Sequence, residues 1–123
     1  MLKLKLSAIL LAAAMALLAG RAPAQADELT WYVQSYHPNT VELEFYSSDR
    51  NAAWPGDGQV YVLDDSEVHA YTLGCQTGEL ICYGAWVSGD ASTYWGTGPG
   101  GSGGCDDCCY SCEGGETPVR VLE

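Results

Sequence analysis

The stretch VELEFYS (residues 41–47) decides the fold class, because its side chains alternate strictly between apolar and polar. Val41, Leu43 and Phe45 fall on one side of an extended chain, and the two glutamates and the tyrosine fall on the other. Successive side chains of a β-strand point to opposite faces, so a strand here has one buried and one solvent-facing row. The stretch therefore predicts a half-buried β-strand.

The same period of two, interrupted by turn residues, recurs along the rest of the chain. No segment beyond residue 26 shows convincing helical periodicity. Further strands are predicted at residues 29–36, 59–64, 67–75, 80–89, 92–96 and 117–123. We expect the segment 29–36 to form a hairpin with 41–47, and 67–75 to pair with the segments on either side of it. About seven short strands with frequent turns predict an all-β fold, a small antiparallel β-sandwich or partly open barrel.

The segment LICYGAWV (80–87) departs from alternation because almost all of its residues are apolar. A strand of this kind is covered on both faces, so it is predicted to be central. Gly84 within it is typical of a bulge or of a close backbone approach. The glycine-rich segment TGPGGSGG (97–104) is predicted to be a flexible loop.

The first 26 residues have the features of a secretory signal peptide. A basic start, MLKLK, precedes an apolar run of 15 residues, and Ala24-Gln25-Ala26 matches the A-x-A cleavage pattern. The run is shorter than the roughly 20 residues that span a bilayer. We therefore expect cleavage before Asp27, a single β domain at residues 27–123, and no stable membrane insertion afterwards. The expected location is the periplasm or the extracellular medium.

The charge of the predicted mature chain is strongly negative. It keeps two arginines and no lysine against 16 acidic residues, which is a formal charge of −14. Nucleic-acid binding depends on lysine and arginine neutralising phosphates, so it is excluded, and anionic membrane surfaces are excluded for the same reason. A glycan, a cationic partner or a divalent cation stays open, as does a role of the charge in solubility alone.

Six cysteines in an exported domain of this size predict a disulfide framework. They are Cys75, Cys82, Cys105, Cys108, Cys109 and Cys112. The sequence does not choose among the pairings. Cys75 and Cys82 either bridge each other across a hairpin or each reach the tail cluster, and the second arrangement closes longer loops.

The tail cluster CDDCCYSC (105–112) has three interpretations: a disulfide clasp, a zinc site and a redox-active pair. Zinc knuckles normally lie on separate turns, whereas here the second C-x2-C follows the first without a spacer. Redox chemistry of the thioredoxin type needs a thiolate at a helix N-terminus, and the acidic residues inside the first C-x2-C would raise a thiol pKa. The clasp is favoured. A metal-binding or thiol-redox protein centred on the cluster is the alternative function.

No pattern in the chain predicts catalysis. Residues 96–101 match G-x-G-x-x-G and residues 100–104 match G-x-S-x-G, but neither match leads into the helix that such sites require. Glu42 and Glu44 share a strand face, but the paired carboxylates of glycosidases normally lie in a deep cleft, which a domain of this size can scarcely form. A solvated face is therefore the favoured interpretation of the two glutamates. The acidic turn at 64–67 lacks EF-hand spacing, so no calcium site is predicted. We predict no enzyme, no catalytic residue, no cofactor and no bound metal.

Aromatic residues provide the remaining candidates for a binding site. Exposed rings next to acidic groups are suited to stacking on sugars or on cationic ligands. The candidate stacking residues are Trp31, Trp54, Tyr94 and Trp95. The competing interpretation is that large side chains fill a small core.

One combination of motifs resembles a group of small exported bacterial proteins without an assigned function. It consists of Trp54-Pro55-Gly56, the segment from Cys75 to Trp86 with its CYGAW strand, the segment YWGTG (94–98), and the C-x2-C-C-x2-C cluster. The resemblance covers roughly residues 40–115. It implies a periplasmic or secreted setting and brings no catalytic residues. The function predicted is an exported, non-catalytic binding or structural domain at the cell envelope or outside the cell.

Overall fold

The computed structural model describes residues 25–123, and the predicted signal peptide lies outside the described residues except for its last two positions. Within this range the chain forms nine strands and one 3-10 turn. The strands are β1 (Ala26–Ser35), β2 (Val41–Ser47), β3 (Ala53–Trp54), β4 (Tyr61–Leu63), β5 (His69–Gln76), β6 (Leu80–Val87), β7 (Asp90–Gly96), β8 (Cys109–Ser111) and β9 (Glu116–Leu122). None of the helical segments in residues 25–123 is long and apolar enough to cross a membrane.

The strands form two sheets that pack against each other and do not close into a barrel. The smaller sheet has the order β5-β1-β9, and the larger has the order β3-β2-β6-β7, with β4 added to β2 and β8 added to β6. All pairings are antiparallel except that of β1 with β9, which is parallel. The predicted all-β class and the sandwich are confirmed.

Three predicted hairpins are wrong, because consecutive strands cross between the sheets. β1 pairs with β5 and β9 rather than with β2. β4 pairs with β2 rather than with β5, and β5 does not pair with β6. Each turn was predicted correctly as a turn, but the strand that follows it joins the opposite sheet. β6 and β7, which are joined by a short turn, do pair as a hairpin.

The core lies between the two sheets and consists of the apolar rows that alternation predicts. Val41, Leu43 and Phe45 of β2 are fully buried, as is Trp31 of β1. The centroid of the Trp31 ring lies 5.1 Å from that of Phe45 and 5.8 Å from that of Tyr83. Aromatic side chains bury large apolar areas, so this cluster holds the sheets together in a domain with a modest core.

β6 is central and covered on both sides, as predicted. All of its residues after Leu80 are buried. The segment 97–104 folds back over Gly84, where a Cβ atom would lie 2.3 Å from the carbonyl oxygen of Gly98. Gly101, with a φ of 67°, packs against the ring of Tyr46. The segment 97–104 was predicted to be a flexible loop, but it is a packed cover that contains the 3-10 turn Pro99–Gly101. We call this segment the glycine cover.

Candidate functional site

The cysteine cluster joins the two sheets, which is the arrangement of a clasp. Cys75 of β5 bridges Cys112, and Cys82 of β6 bridges Cys109 of β8. The first bridge links the smaller sheet to the residue that follows β8 of the larger sheet. The second lies within the larger sheet, between residues that face each other in the pairing of β6 with β8. The predicted alternative of a bridge from Cys75 to Cys82 is wrong, because each of the two cysteines bridges a cysteine of the tail cluster.

The third bridge, from Cys105 to Cys108, closes a local loop in which the two cysteines are three positions apart. All six cysteines are thus paired. The sulfur atoms of Cys82, Cys108 and Cys109 nevertheless lie within 4.8 Å of one another, although they belong to two different bridges. The cluster is therefore both a clasp and a dense group of sulfur atoms.

An ion pair stabilises the turn between β5 and β6 next to the clasp. The carboxylate of Glu79 is almost completely buried and accepts hydrogen bonds from the Arg50 guanidinium, from Ser47 Oγ at 2.6 Å and from the Gln76 backbone nitrogen at 3.0 Å. The guanidinium, with these other donors, lowers the pKa of Glu79 to about 2 against the opposing effect of burial. Donors on several sides hold the carboxylate charged, so Glu79 is a structural anchor between the loop after β2 and the turn before β6.

The outward side chains of β2, β6 and β7 form the surface that we call the outer face, consisting of Glu42, Glu44, Tyr46, Trp86 and Tyr94. Glu42 is directly opposite Trp86, and Trp86 is directly opposite Tyr94, so the three lie in one row across the larger sheet. The Trp86 indole donates a hydrogen bond of 2.5 Å to the Glu42 carboxylate. Tyr94 is 54% exposed. An accessible ring thus lies in the same row as a half-buried carboxylate.

Burial changes the titration of two groups on this face. It raises the pKa of Glu44 against the opposing effect of a hydrogen bond from Tyr46, and the neighbouring Glu42 carboxylate raises it further. Burial also raises the pKa of Tyr46 to about 12, with the Glu44 carboxylate contributing. At neutral pH Tyr46 is therefore a neutral phenol, and its oxygen accepts a hydrogen bond of 3.0 Å from the Gly100 backbone nitrogen.

A cleft of about 590 Å³ opens at the Tyr46 end of the outer face, and we call it the Tyr46 cleft. Its polar side chains are those of Ser47, Arg50, Asn51 and Asp57, and the glycine cover supplies one wall. The volume falls in the range of small-ligand sites, roughly 300 to 1,000 Å³. Asn51 and Asp57 are both exposed, so their amide and carboxylate groups are accessible to a ligand.

The four predicted stacking aromatics lie in different places and do not form one site. Trp31 is fully buried in the core, so its ring is not available to a ligand. Trp54 and Trp95 are partly buried, and their indole nitrogens donate to the backbone oxygens of Gly74 and Glu123. Only Tyr94 of the four is largely exposed, and it is on the outer face.

Sequence reasoning missed the part that Tyr46 and Trp86 play in the site. The signal for Tyr46 was present, because it follows Glu42 and Glu44 on the polar row of VELEFYS and so lies on the same strand face. Trp86 lies in the strand that was predicted to be central, and it is indeed buried, but it is on the outer face between Glu42 and Tyr94. The cleft itself had no local signal, since its walls come from segments some 50 residues apart.

Both arginines in residues 25–123 make contacts within the protein. Arg50 pairs with Glu79, and Arg120 donates to the backbone oxygen of Asp107 at 2.5 Å while its guanidinium lies 5.2 Å from the centroid of the Tyr83 ring. The remaining carboxylates have no lysine or further arginine to pair with. The surface therefore presents negative charge and hydrogen-bond acceptors, which suit hydroxyl-rich or cationic ligands.

Comparisons of the chain with protein-family models, with curated proteins and with solved structures find no match.

Proposed function

We propose that this protein is an exported, non-catalytic binding domain that holds a glycan on the outer face and in the Tyr46 cleft. The observation that carries the proposal is the joint placement of an exposed ring, half-buried carboxylates and a cleft on one side of one sheet. Sugar rings stack on aromatic side chains through their apolar faces, and their hydroxyl groups donate hydrogen bonds to carboxylate and amide oxygens. Tyr94 supplies the ring, and Glu42, Glu44 and the cleft residues Asn51 and Asp57 supply the acceptors.

Export is part of the same proposal and has two supports. The first 26 residues have signal-peptide character, and the described domain carries three disulfides. Disulfides persist in oxidising compartments such as the periplasm and the extracellular medium. The proposed setting also contains polysaccharides, so ligand and location agree.

The test of this proposal is a titration of the exported protein with neutral oligosaccharides, monitored by tryptophan fluorescence because Trp86 lies on the outer face between Glu42 and Tyr94. Replacing Tyr94 with alanine is expected to weaken binding about 3- to 12-fold, since covering one face of the ring contributes about half of the roughly 1.5 to 3 kcal/mol of a fully buried aromatic side chain. Tyr36→Ala is the matched control. Tyr36 is 55% exposed, similar to Tyr94, but it follows β1 of the other sheet. Equal losses in the two variants, or no saturable binding of any oligosaccharide, would contradict the proposal.

A cationic ligand is the other outcome that the titration distinguishes. Oligomers of an amino sugar carry ammonium groups that pair with carboxylates, and their affinity falls as salt screens the charges. Binding of the amino-sugar oligomer alone, lost at high salt, would replace the neutral glycan by a cationic partner on the same surface.

The alternative function, a metal-binding or thiol-redox protein, is favoured by the proximity of the three sulfur atoms in the clasp. Metal binding there needs thiolates, and therefore the prior reduction of the bridges Cys82–Cys109 and Cys105–Cys108. The intact mass of the exported protein under native and denaturing conditions tests this alternative. Four alkylated cysteines with loss of a metal mass on denaturation would support metal binding, and a mass six hydrogens below that of the reduced chain would oppose it.

A further inference from the structure

Two disulfides of the clasp lie side by side at close range. The sulfur of Cys108, bridged to Cys105, is 3.8 Å from the sulfur of Cys109, bridged to Cys82. The sulfur of Cys82 is within 4.8 Å of both. A sulfur atom that loses its own partner would thus already be next to a second disulfide.

The two ends of the local bridge differ in their accessibility. Cys108 is fully buried, whereas Cys105 is partly exposed at the end of the glycine cover. An external thiolate therefore reaches the sulfur of Cys105 first. Thiol–disulfide exchange proceeds by attack on one sulfur with departure of the other as a thiolate, so attack on Cys105 releases the thiolate of Cys108 inside the cluster.

We propose that the Cys105–Cys108 bridge is the reducible member of the clasp and that its reduction starts an exchange with the Cys82–Cys109 bridge. The external reductant is a dithiol. Its first sulfur forms a mixed disulfide with Cys105 and releases Cys108, and its second sulfur then displaces Cys105 as a thiol, so that two electrons pass to the protein. The Cys108 thiolate attacks the sulfur of Cys82, a Cys82–Cys108 bond forms, the Cys82–Cys109 bond breaks, and Cys109 leaves as a thiolate that takes a proton from water. This second step changes the partners and leaves the number of disulfides unchanged.

Attack on Cys82 is favoured over attack on Cys109. A bridge between the adjacent residues Cys108 and Cys109 would enclose a single peptide bond in a small ring, which the planar trans peptide resists. The chain at Cys108 already runs beside β6, because the Cys108 carbonyl accepts a hydrogen bond of 3.0 Å from the Tyr83 nitrogen. The Cys108 side chain must still rotate, because its sulfur lies beside the Cys82–Cys109 bond and exchange needs it in line behind Cys82. The exchange thus moves the bridge by one residue along a chain that is already paired.

The bridge between the sheets stays outside the exchange. Cys75 and Cys112 are buried, and their sulfur atoms are not part of the group formed by those of Cys82, Cys108 and Cys109. The partly reduced protein therefore keeps the tie between its sheets while it presents Cys105 and, after the exchange, Cys109 as thiols. This inference rests on the cysteine geometry and is independent of the glycan proposal.

The first experiment uses Cys105→Ser, which leaves Cys108 without its partner and needs no reductant. The exported protein is quenched in acid, denatured, labelled with a maleimide, digested and sequenced by mass spectrometry. The expected result is label on both Cys108 and Cys109, with Cys82 bridged to the other member of the pair in each population. Label confined to Cys108 would overturn the exchange.

The second experiment uses the wild-type protein in increasing concentrations of dithiothreitol and does not depend on the folding of a variant. The first two labels are expected on Cys105 and on either Cys108 or Cys109, while Cys75–Cys112 stays intact. In the matched variant with Cys105→Ser and Cys108→Ser, we expect no labels at the same reductant concentration. First labels on Cys75 and Cys112, or equally early labelling in the double variant, would refute the proposal.

Discussion

The glycine cover depends on Gly84, so Gly84→Ala is expected to be the most destabilising single methyl addition in β6. The new Cβ would lie 2.3 Å from the Gly98 carbonyl oxygen and 2.9 Å from Thr97 Oγ1. A relaxed contact needs about 3.4 Å, so the two backbones must separate by about 1 Å. The first contact is with backbone, and rotation of a side chain cannot relieve it.

The separation weakens the attachment of the cover as well. Thr97 donates to the Tyr83 carbonyl oxygen from its backbone nitrogen at 3.0 Å and from its hydroxyl at 3.1 Å. Overpacking costs about 1 to 3 kcal/mol, and a lost buried hydrogen bond adds about 1 kcal/mol. We therefore expect Gly84→Ala to lower the free energy of unfolding by about 3 kcal/mol, which for a domain of this size lowers Tm by about 12 to 24 °C.

The matched control is Gly74→Ala on β5. Gly74 is exposed and is also a strand glycine without a positive φ, and a methyl group added to it would meet no other atom within 4 Å. Alanine there is expected to change the stability by less than about 1 kcal/mol and to favour the folded state. Urea unfolding of the two oxidised variants measures both effects. Equal stabilities of the two variants would refute the packing of the cover on β6.

Two further predictions concern the anchors of the fold. The folded-state pKa of Glu79, about 2, lies below its ordinary value of 4.5. The stabilisation by its carboxylate is therefore complete above pH 4.5 and is lost as the pH falls toward 2, a loss of about 3 kcal/mol. Urea titrations of Glu79→Gln should lack that part of the pH dependence. A disulfide that closes a longer loop restricts the unfolded chain more. Replacing Cys75 and Cys112 with serine should therefore lower the stability by about 4 kcal/mol, and replacing Cys105 and Cys108 by about 2 kcal/mol. Equal midpoints of urea unfolding for the two double variants would contradict this order.

The individual strands were predictable because they depend on local pattern. Alternation in VELEFYS placed three residues in the core and two glutamates on the outer face, and the apolar run around Gly84 predicted a central strand with a close approach. The period of the side chains is a property of the strand itself. It needs no knowledge of the partner strand.

The pairing of the strands was not predictable in the same way. Turn residues such as those before Glu79 show that the chain reverses, but they do not show whether the next strand joins the same sheet. The assignment of Trp31 failed for this reason. Its strand is the centre of the smaller sheet and not the edge of a hairpin, so its ring is in the core.

The candidate site was only partly predictable for a related reason. Tyr94 was predicted as a stacking residue, and strand alternation placed the two glutamates on the solvent-facing row without assigning them to a binding site. The Tyr46 cleft requires the segment 97–104 to fold back onto β2, which is a contact between residues more than 50 positions apart. Such a contact depends on the whole packing of the sheet, and no short motif encodes it.

The central claim is that the cysteine cluster is a clasp that joins the two sheets, and a disulfide map of the exported protein tests it most directly. Non-reducing digestion and mass spectrometry should give one linkage from Cys75 to Cys112, one from Cys82 to Cys109 and a closed loop from Cys105 to Cys108. A linkage from Cys75 to Cys82, or four free thiols in the cluster, would contradict the claim.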